Sequence, residues 1–256
     1  MAADDRPLTT SAYDLRLRMP RSVLPAALGA LLLLSACSKP NAGAESSAAD
    51  TTSSATEAHP AVASDTAHAA PVVLFVGTSL TAGYGLAPEQ AYPARIQQKI
   101  DSAGLGYRVV NAGVSGETSA GALRRMPWLL KQPFDVFVLE TGANDMLRGT
   151  ELDSTRANIQ AIIDQVKGAR PDARIVLVGM LAPPNLGPEY TAKFRSLYPE
   201  LAQKNHLVLV PFLLEGVAGV RDLNQPDGIH PNARGEMILA ETVWQTLGPV
   251  LERTRS

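Results

Sequence analysis

The chain has 256 residues, 45% of them hydrophobic, with a formal net charge of −2 and a single cysteine. A balance this close to neutral gives no electrostatic case for nucleic acid, and one cysteine excludes an intrachain disulfide and any cysteine-based metal cluster. The fold must therefore stand on its apolar core, and small neutral or amphiphilic molecules suit its surface better than polyanions.

Taken in order, residues 1–18 are polar and charged without apolar periodicity and read as an N-terminal extension, which makes Met19 a candidate start. Pro20-Arg21 and the apolar run 23–34 follow, with the basic flank and the length of a signal-peptide core rather than of a bilayer span. The run closes with Leu34-Ser-Ala-Cys37, which resembles the bacterial lipoprotein box. This resemblance implies export, lipidation of Cys37 as the mature N-terminus, and a lipid anchor in the cell envelope. Ser38 after the cysteine favours the periplasmic face of the outer membrane. Residues 38–70 are Ser, Ala, Thr, Glu and Asp with few large apolar side chains, too few to offset the entropy of ordering. They read as a tether with an r.m.s. reach of about 30 Å.

From residue 71 to 256 short apolar runs alternate with longer amphipathic ones, the pattern of βα repeats around a mostly parallel sheet. Strands are expected near 72–76, 107–111, 135–140, 174–179 and 207–210, and helices near 91–103, 118–131, 153–169, 188–205 and 233–249. One three-layer α/β domain follows. Parallel strands present their carboxyl ends on one side, so polar residues just beyond them converge. Those residues are Thr78 and Ser79 after the first strand, Asn111-Ala-Gly-Val-Ser-Gly-Glu117 after the second, and Gly142-Ala-Asn-Asp145 after the third.

A serine hydroxyl needs a base to act as a nucleophile at neutral pH. Of the four histidines, His59 and His68 fall in the tether and His206 reads as a structural residue at a helix end. His230 sits in a turn-rich segment with Asp227 three residues ahead, a spacing that can fold the carboxylate onto one imidazole nitrogen while the other faces the serine. A surface turn with a helix-capping Asp or Asn is the competing reading of the same segment. Glycine N–H groups and the Asn144 side chain are candidate oxyanion donors. Glu140 and Asp145 read as structural, and Arg124-Arg125 as a solvated helix face.

These blocks resemble the SGNH, or GDSL-type, hydrolase family. The matches are Gly77-Thr-Ser-Leu80, Asn111-Ala-Gly-Val-Ser-Gly116, Gly142-Ala-Asn-Asp145 and Asp227-Gly-Ile-His230, over about 150 residues. The likeness is strongest to the branch of bacterial thioesterase/lysophospholipases and arylesterases. It implies a flavodoxin-like fold with a five-stranded parallel sheet, with Ser79 as nucleophile, His230 as general base and Asp227 as its orienting acid. It further implies an oxyanion hole from the N–H groups of Ser79 and Gly116 and the Asn144 amide, and no cofactor or metal. The resemblance departs at Thr78, where the family commonly has Asp. The expected activity is hydrolysis of carboxylic esters or thioesters of short-chain acyl, aryl or lysophospholipid type, with Tyr84, Met146, Leu147 and Leu186 as candidate substrate-binding residues. Carbohydrate O-deacetylation on the same fold and a non-catalytic lipid- or glycan-binding lipoprotein are the alternatives. The natural substrate, the acyl length and the oligomeric state are not legible.

Overall fold

The structure is a computed structural model and describes residues 70–254. The extension, the signal peptide with Cys37, and all but the last residue of the tether lie outside the described residues.

Five strands form one parallel sheet: β1 (Val72–Gly77), β2 (Arg108–Gly113), β3 (Val136–Glu140), β4 (Arg174–Val178) and β5 (Val208–Val210), in the spatial order β2-β1-β3-β4-β5. Every residue of β1 and β3 is buried, which is why these strands appear in sequence as continuous apolar runs rather than as alternating ones. Edge strand β2 is only half buried. Five long helices connect and cover the sheet: α2 (Tyr92–Ser102), α3 (Ser119–Leu129), α5 (Leu152–Ala169), α6 (Pro188–Asn205) and α7 (Ala233–Thr254). α2 packs with α7, and α5 packs with α3 and α6, so the two groups enclose the sheet as outer layers. The core includes Phe75, Phe137, Ile96, Ile159, Ile162 and Phe194, all fully buried; each such side chain stabilises the fold by about 1.5–3 kcal/mol.

All five strands and all five long helices stand where periodicity places them. The last helix runs past Pro249 to Thr254, beyond the expected residue 249. Two one-turn helices were not expected, α1 (Ser79–Ala82) and α4 (Ala143–Leu147). Segments this short do not span two turns, so no 3.6-residue pattern can announce them. His206 closes α6 as its C-cap in the left-handed conformation, with φ 55°. No helix among the described residues is long and apolar enough to cross a membrane.

From β1 the chain steps outward to β2, then returns across β1 to β3. The order of the sheet therefore reverses at β1, and the crevice beyond the carboxyl end of that strand is where open α/β sheets take their ligands.

Candidate active site

Gly77 ends β1, Thr78 turns the chain and Ser79 opens α1. A Cβ on Gly77 would collide with Thr81 and come within 2.8 Å of Glu140 Oε2, so only glycine lets the chain turn this tightly. α1 ends after one turn at Gly83, with φ 69°. As the first residue of a helix, Ser79 has a backbone N–H without an intrahelical acceptor.

His230 reaches this point from the loop between β5 and α7. An isolated bridge between Asn224 and Pro231 closes that loop, and Gln225 N–H donates to the His230 carbonyl at 2.7 Å. Within it, Asp227 Oδ1 accepts the backbone N–H groups of Ile229 (2.9 Å) and His230 (3.0 Å), while Oδ2 lies 2.7 Å from His230 Nδ1. His230 Nε2 is 2.9 Å from Ser79 Oγ. The His230 backbone N–H, then its imidazole, then the Ile229 N–H hold the Asp227 carboxyl down at about 2. An ionised Asp227 accepts only, so the Nδ1 proton belongs on that side and Nε2 is left to accept the serine proton. Helix capping falls to a different residue, Asn232, whose Oδ1 accepts from Arg234 and Gly235 N–H at the start of α7.

Two further loops border the site. Gly116 has φ 77°, a conformation suited to glycine, and its carbonyl accepts from Arg148 Nη2 at 2.8 Å. That bond fixes the Gly116–Glu117 peptide, next to the one that carries the Gly116 N–H. Asn144, in the first turn of α4, spends one amide hydrogen on the Glu117 carbonyl at 3.0 Å and keeps the other for the cleft it lines. Asp145 is fully buried and braces the loop, accepting from Ser119 N–H (2.8 Å) and Ser119 Oγ (2.6 Å). Arg125 is not a freely solvated residue: its guanidinium holds Glu117 through bonds of 2.7–3.0 Å, which ties the Gly116 loop to α3, whereas Arg124 is exposed.

Ser79, Gly116, Asn144 and His230 all open into one cleft of about 640 Å³, within the usual range for small-molecule sites. Depressions of similar size between α2 and α7 and between α5 and α6 lie on helical faces away from the strand ends. Tyr84, Met146 and Leu147 line the cleft, as their expected roles require. Leu186 does not: it lies exposed in the 3₁₀ turn Pro184–Leu186, and Pro183 and Pro184 form the wall in its place. The remaining apolar wall comes from Met180, Leu181, Phe212, Leu214 and Ala218. The last three were missed because the loop after β5 carries no polar signature, although its position at a strand end was signal enough. Among the described residues, no three His, Cys, Asp or Glu side chains converge as metal ligands would.

Residues 75–238 match the model of the GDSL-like lipase/acylhydrolase family. The chain belongs to that family. Among acylhydrolases of this kind, it is 41% identical over 184 residues to esterase TesA of Pseudomonas aeruginosa, covering 72% of this chain and 90% of the relative. It is 38% identical over 186 residues to thioesterase 1/protease 1/lysophospholipase L1 of Escherichia coli K12, covering 72% and 87%. A solved structure of the psychrotrophic esterase EstA from Pseudoalteromonas, inhibited by monoethylphosphonate, superposes with a TM-score of 0.66 at 33% identity, covering 71% of this chain and 98% of that one. The architecture is thus the acylhydrolase α/β fold, with the four blocks gathered at one end of its sheet.

Proposed function

We propose that this acylhydrolase cleaves carboxylic esters by two-step acyl transfer at Ser79. The observation that carries the reading is the hydrogen-bonded line from Asp227 through His230 to Ser79 Oγ at the mouth of an apolar cleft. His230 Nε2 takes the proton as Ser79 Oγ attacks the ester carbonyl, and the resulting imidazolium is stabilised by Asp227. The oxyanion forms against the Ser79 and Gly116 N–H groups and the free Asn144 amide hydrogen. His230 then returns the proton to the leaving alcohol or thiol, water attacks the acyl-enzyme in the same way, and the acid departs. The apolar wall from Met180 to Pro184 and Phe212 to Ala218 suits an acyl chain or an aryl group better than a glycan.

The test is hydrolysis of p-nitrophenyl esters of increasing acyl length by the purified protein beside Ser79→Ala. Turnover abolished in the variant, with an optimum beyond acetate, is expected; turnover that persists in Ser79→Ala overturns the serine mechanism. The reading extends to residues 19–70 as a lipoprotein signal peptide ending at Cys37 and a tether, holding residues 71–256 to the periplasmic side of a bacterial membrane. Mass spectrometry of the N-terminal peptide of the protein from a bacterial host tests this: a diacylglyceryl group on Cys37 supports it, and an unmodified Cys37 removes it.

A further inference from the structure

Glu140 ends β3 and is fully buried. It faces the nucleophile turn: β1 and β3 pair in parallel up to Val76 and Leu139, which brings Glu140 level with the Gly77–Thr78 corner. Its Oε2 accepts Thr78 N–H at 2.7 Å and the Thr81 hydroxyl at 2.9 Å, and the Thr78 hydroxyl lies 3.0 and 2.9 Å from its two oxygens. Tyr92 Oη stands 2.9 Å behind Thr81 Oγ1, so its proton can complete a chain directed at the carboxylate. Every one of these groups can donate, which is the environment of an ionised carboxylate. Against this, burial pushes the carboxyl up, and the other titratable neighbours, Tyr92, Tyr198 and Glu236, bring no positive charge.

The bonds bracket the nucleophile. Thr78 precedes Ser79 and Thr81 is two residues beyond it, so one carboxylate grips α1 on both sides of the reactive hydroxyl. Thr78 is the N-cap of α1, yet its hydroxyl caps no N–H of that helix; it is directed to Glu140 instead. A threonine at an N-cap ordinarily satisfies the N–H of the second or third helical residue. Here the hydroxyl is spent on the distant carboxylate, which grips the turn from the sheet side. The absent side chain at Gly77 fits the same arrangement, because a Cβ there would displace Thr81 and the carboxylate together.

We propose that Glu140 and Thr78 form a positioning pair that holds the Ser79 hydroxyl and N–H in their reacting geometry. The proposal rests on Ser79 being the nucleophile. The pair touches no substrate and acts through the turn. A hydroxyl at position 78 donates to a buried carboxylate without adding a second negative charge, so the pair needs no shared proton and no cation.

The experiment compares Thr78→Val, Thr78→Ser and Glu140→Gln with the native protein and with Ser79→Ala. Each is read by kcat, KM and the rate of phosphonylation by a p-nitrophenyl alkylphosphonate, in which Ser79 Oγ bonds to phosphorus and p-nitrophenolate leaves. Thr78→Val keeps the shape and removes the donor; kcat and the phosphonylation rate are expected to fall about ten- to a hundredfold with KM within about threefold, the scale of a misplaced reacting group. Thr78→Ser, which restores the hydroxyl, is expected to recover both to within about threefold of native. Glu140→Gln places an amide donor against donors and is expected to lose at least as much as Thr78→Val; if it fails to fold, the Thr78 pair carries the test. Folded Thr78→Val with native kcat and phosphonylation rate, beside an inactive Ser79→Ala, overturns the positioning role and leaves the esterase reading standing. Turnover surviving in Ser79→Ala removes both.

Discussion

Tyr84 lies against His230, with ring centroids 4.6 Å apart and planes inclined at 40°. The tyrosine follows the one-turn helix that begins at Ser79, and its carbonyl accepts from Gln225 Nε2 at 2.6 Å, so the segments bearing Ser79 and His230 are pinned to each other. The ring is about half exposed; it supports the imidazole from one side without sealing the site. Tyr84→Ala should lower kcat on p-nitrophenyl butyrate about three- to tenfold, the scale of one lost aromatic contact, whereas Tyr84→Phe should stay within about twofold. Equal losses in the two variants would assign the effect to the hydroxyl instead.

Asp227→Asn keeps the size of the side chain and reverses its chemistry. An amide hydrogen turned toward Nδ1 forces the imidazole proton onto Nε2, where Ser79 needs an acceptor, and the expected loss in kcat is about 10²–10⁴ with little change in KM. The measurement is steady-state kinetics from pH 6 to 9. A variant within tenfold of native at every pH would mean that Asp227 does not set the tautomer.

Asn144→Ala removes a donor proposed for the oxyanion hole and also releases the Glu117 carbonyl. Loss of one such donor costs about 10²–10³ in turnover, so kcat should fall by that factor while KM moves little. A change confined to KM would take Asn144 out of the oxyanion hole and leave it as a brace for the loop.

Glu236 gives a stability prediction remote from the chemistry. It is almost fully buried at the start of α7, and Oε2 accepts Tyr92 N–H at 2.6 Å. Burial, reinforced by the nearby Glu140 charge and opposed by the Tyr92 bond, pushes its carboxyl from 4.5 up to about 8. Between those values the folded protein holds a proton that the unfolded chain releases. This contribution is complete below about pH 4.5 and is lost as pH rises toward 8. The thermal midpoint of the native protein should therefore decline across that window, by about 2–4 °C for each kcal/mol lost, and Glu236→Gln should flatten the decline. Parallel curves for the two proteins would refute the assignment.

How much of this was legible in the sequence depended on burial. β1 and β3 could be read because burial on both faces demands apolar residues without interruption, and the meeting of His230 with Ser79 because only His206 and His230 fall in the stretch 71–256. Asp227 was readable through its spacing. Arg125 was misread as solvated because its partner Glu117 stands eight residues earlier, outside the helix-face spacings at which ion pairs are sought. The apolar wall from Phe212 to Ala218 was missed because apolar residues in a loop look the same whether they face a cleft or a neighbouring helix, and its place after β5 was the one cue. Glu140 was read as structural, but nothing in a linear text shows that Thr78, 62 residues away, donates to it.

Ser79 and His230 are separated by 151 residues, most of the described chain. His230 is carried by the loop that leads into the final helix, and that helix packs on α2, close to where the domain begins. A polypeptide made in order thus completes Ser79 long before His230 exists to meet it. On the proposed mechanism ester cleavage waits for the carboxyl-terminal segment to dock, so the appearance of activity is itself a clock for completed folding.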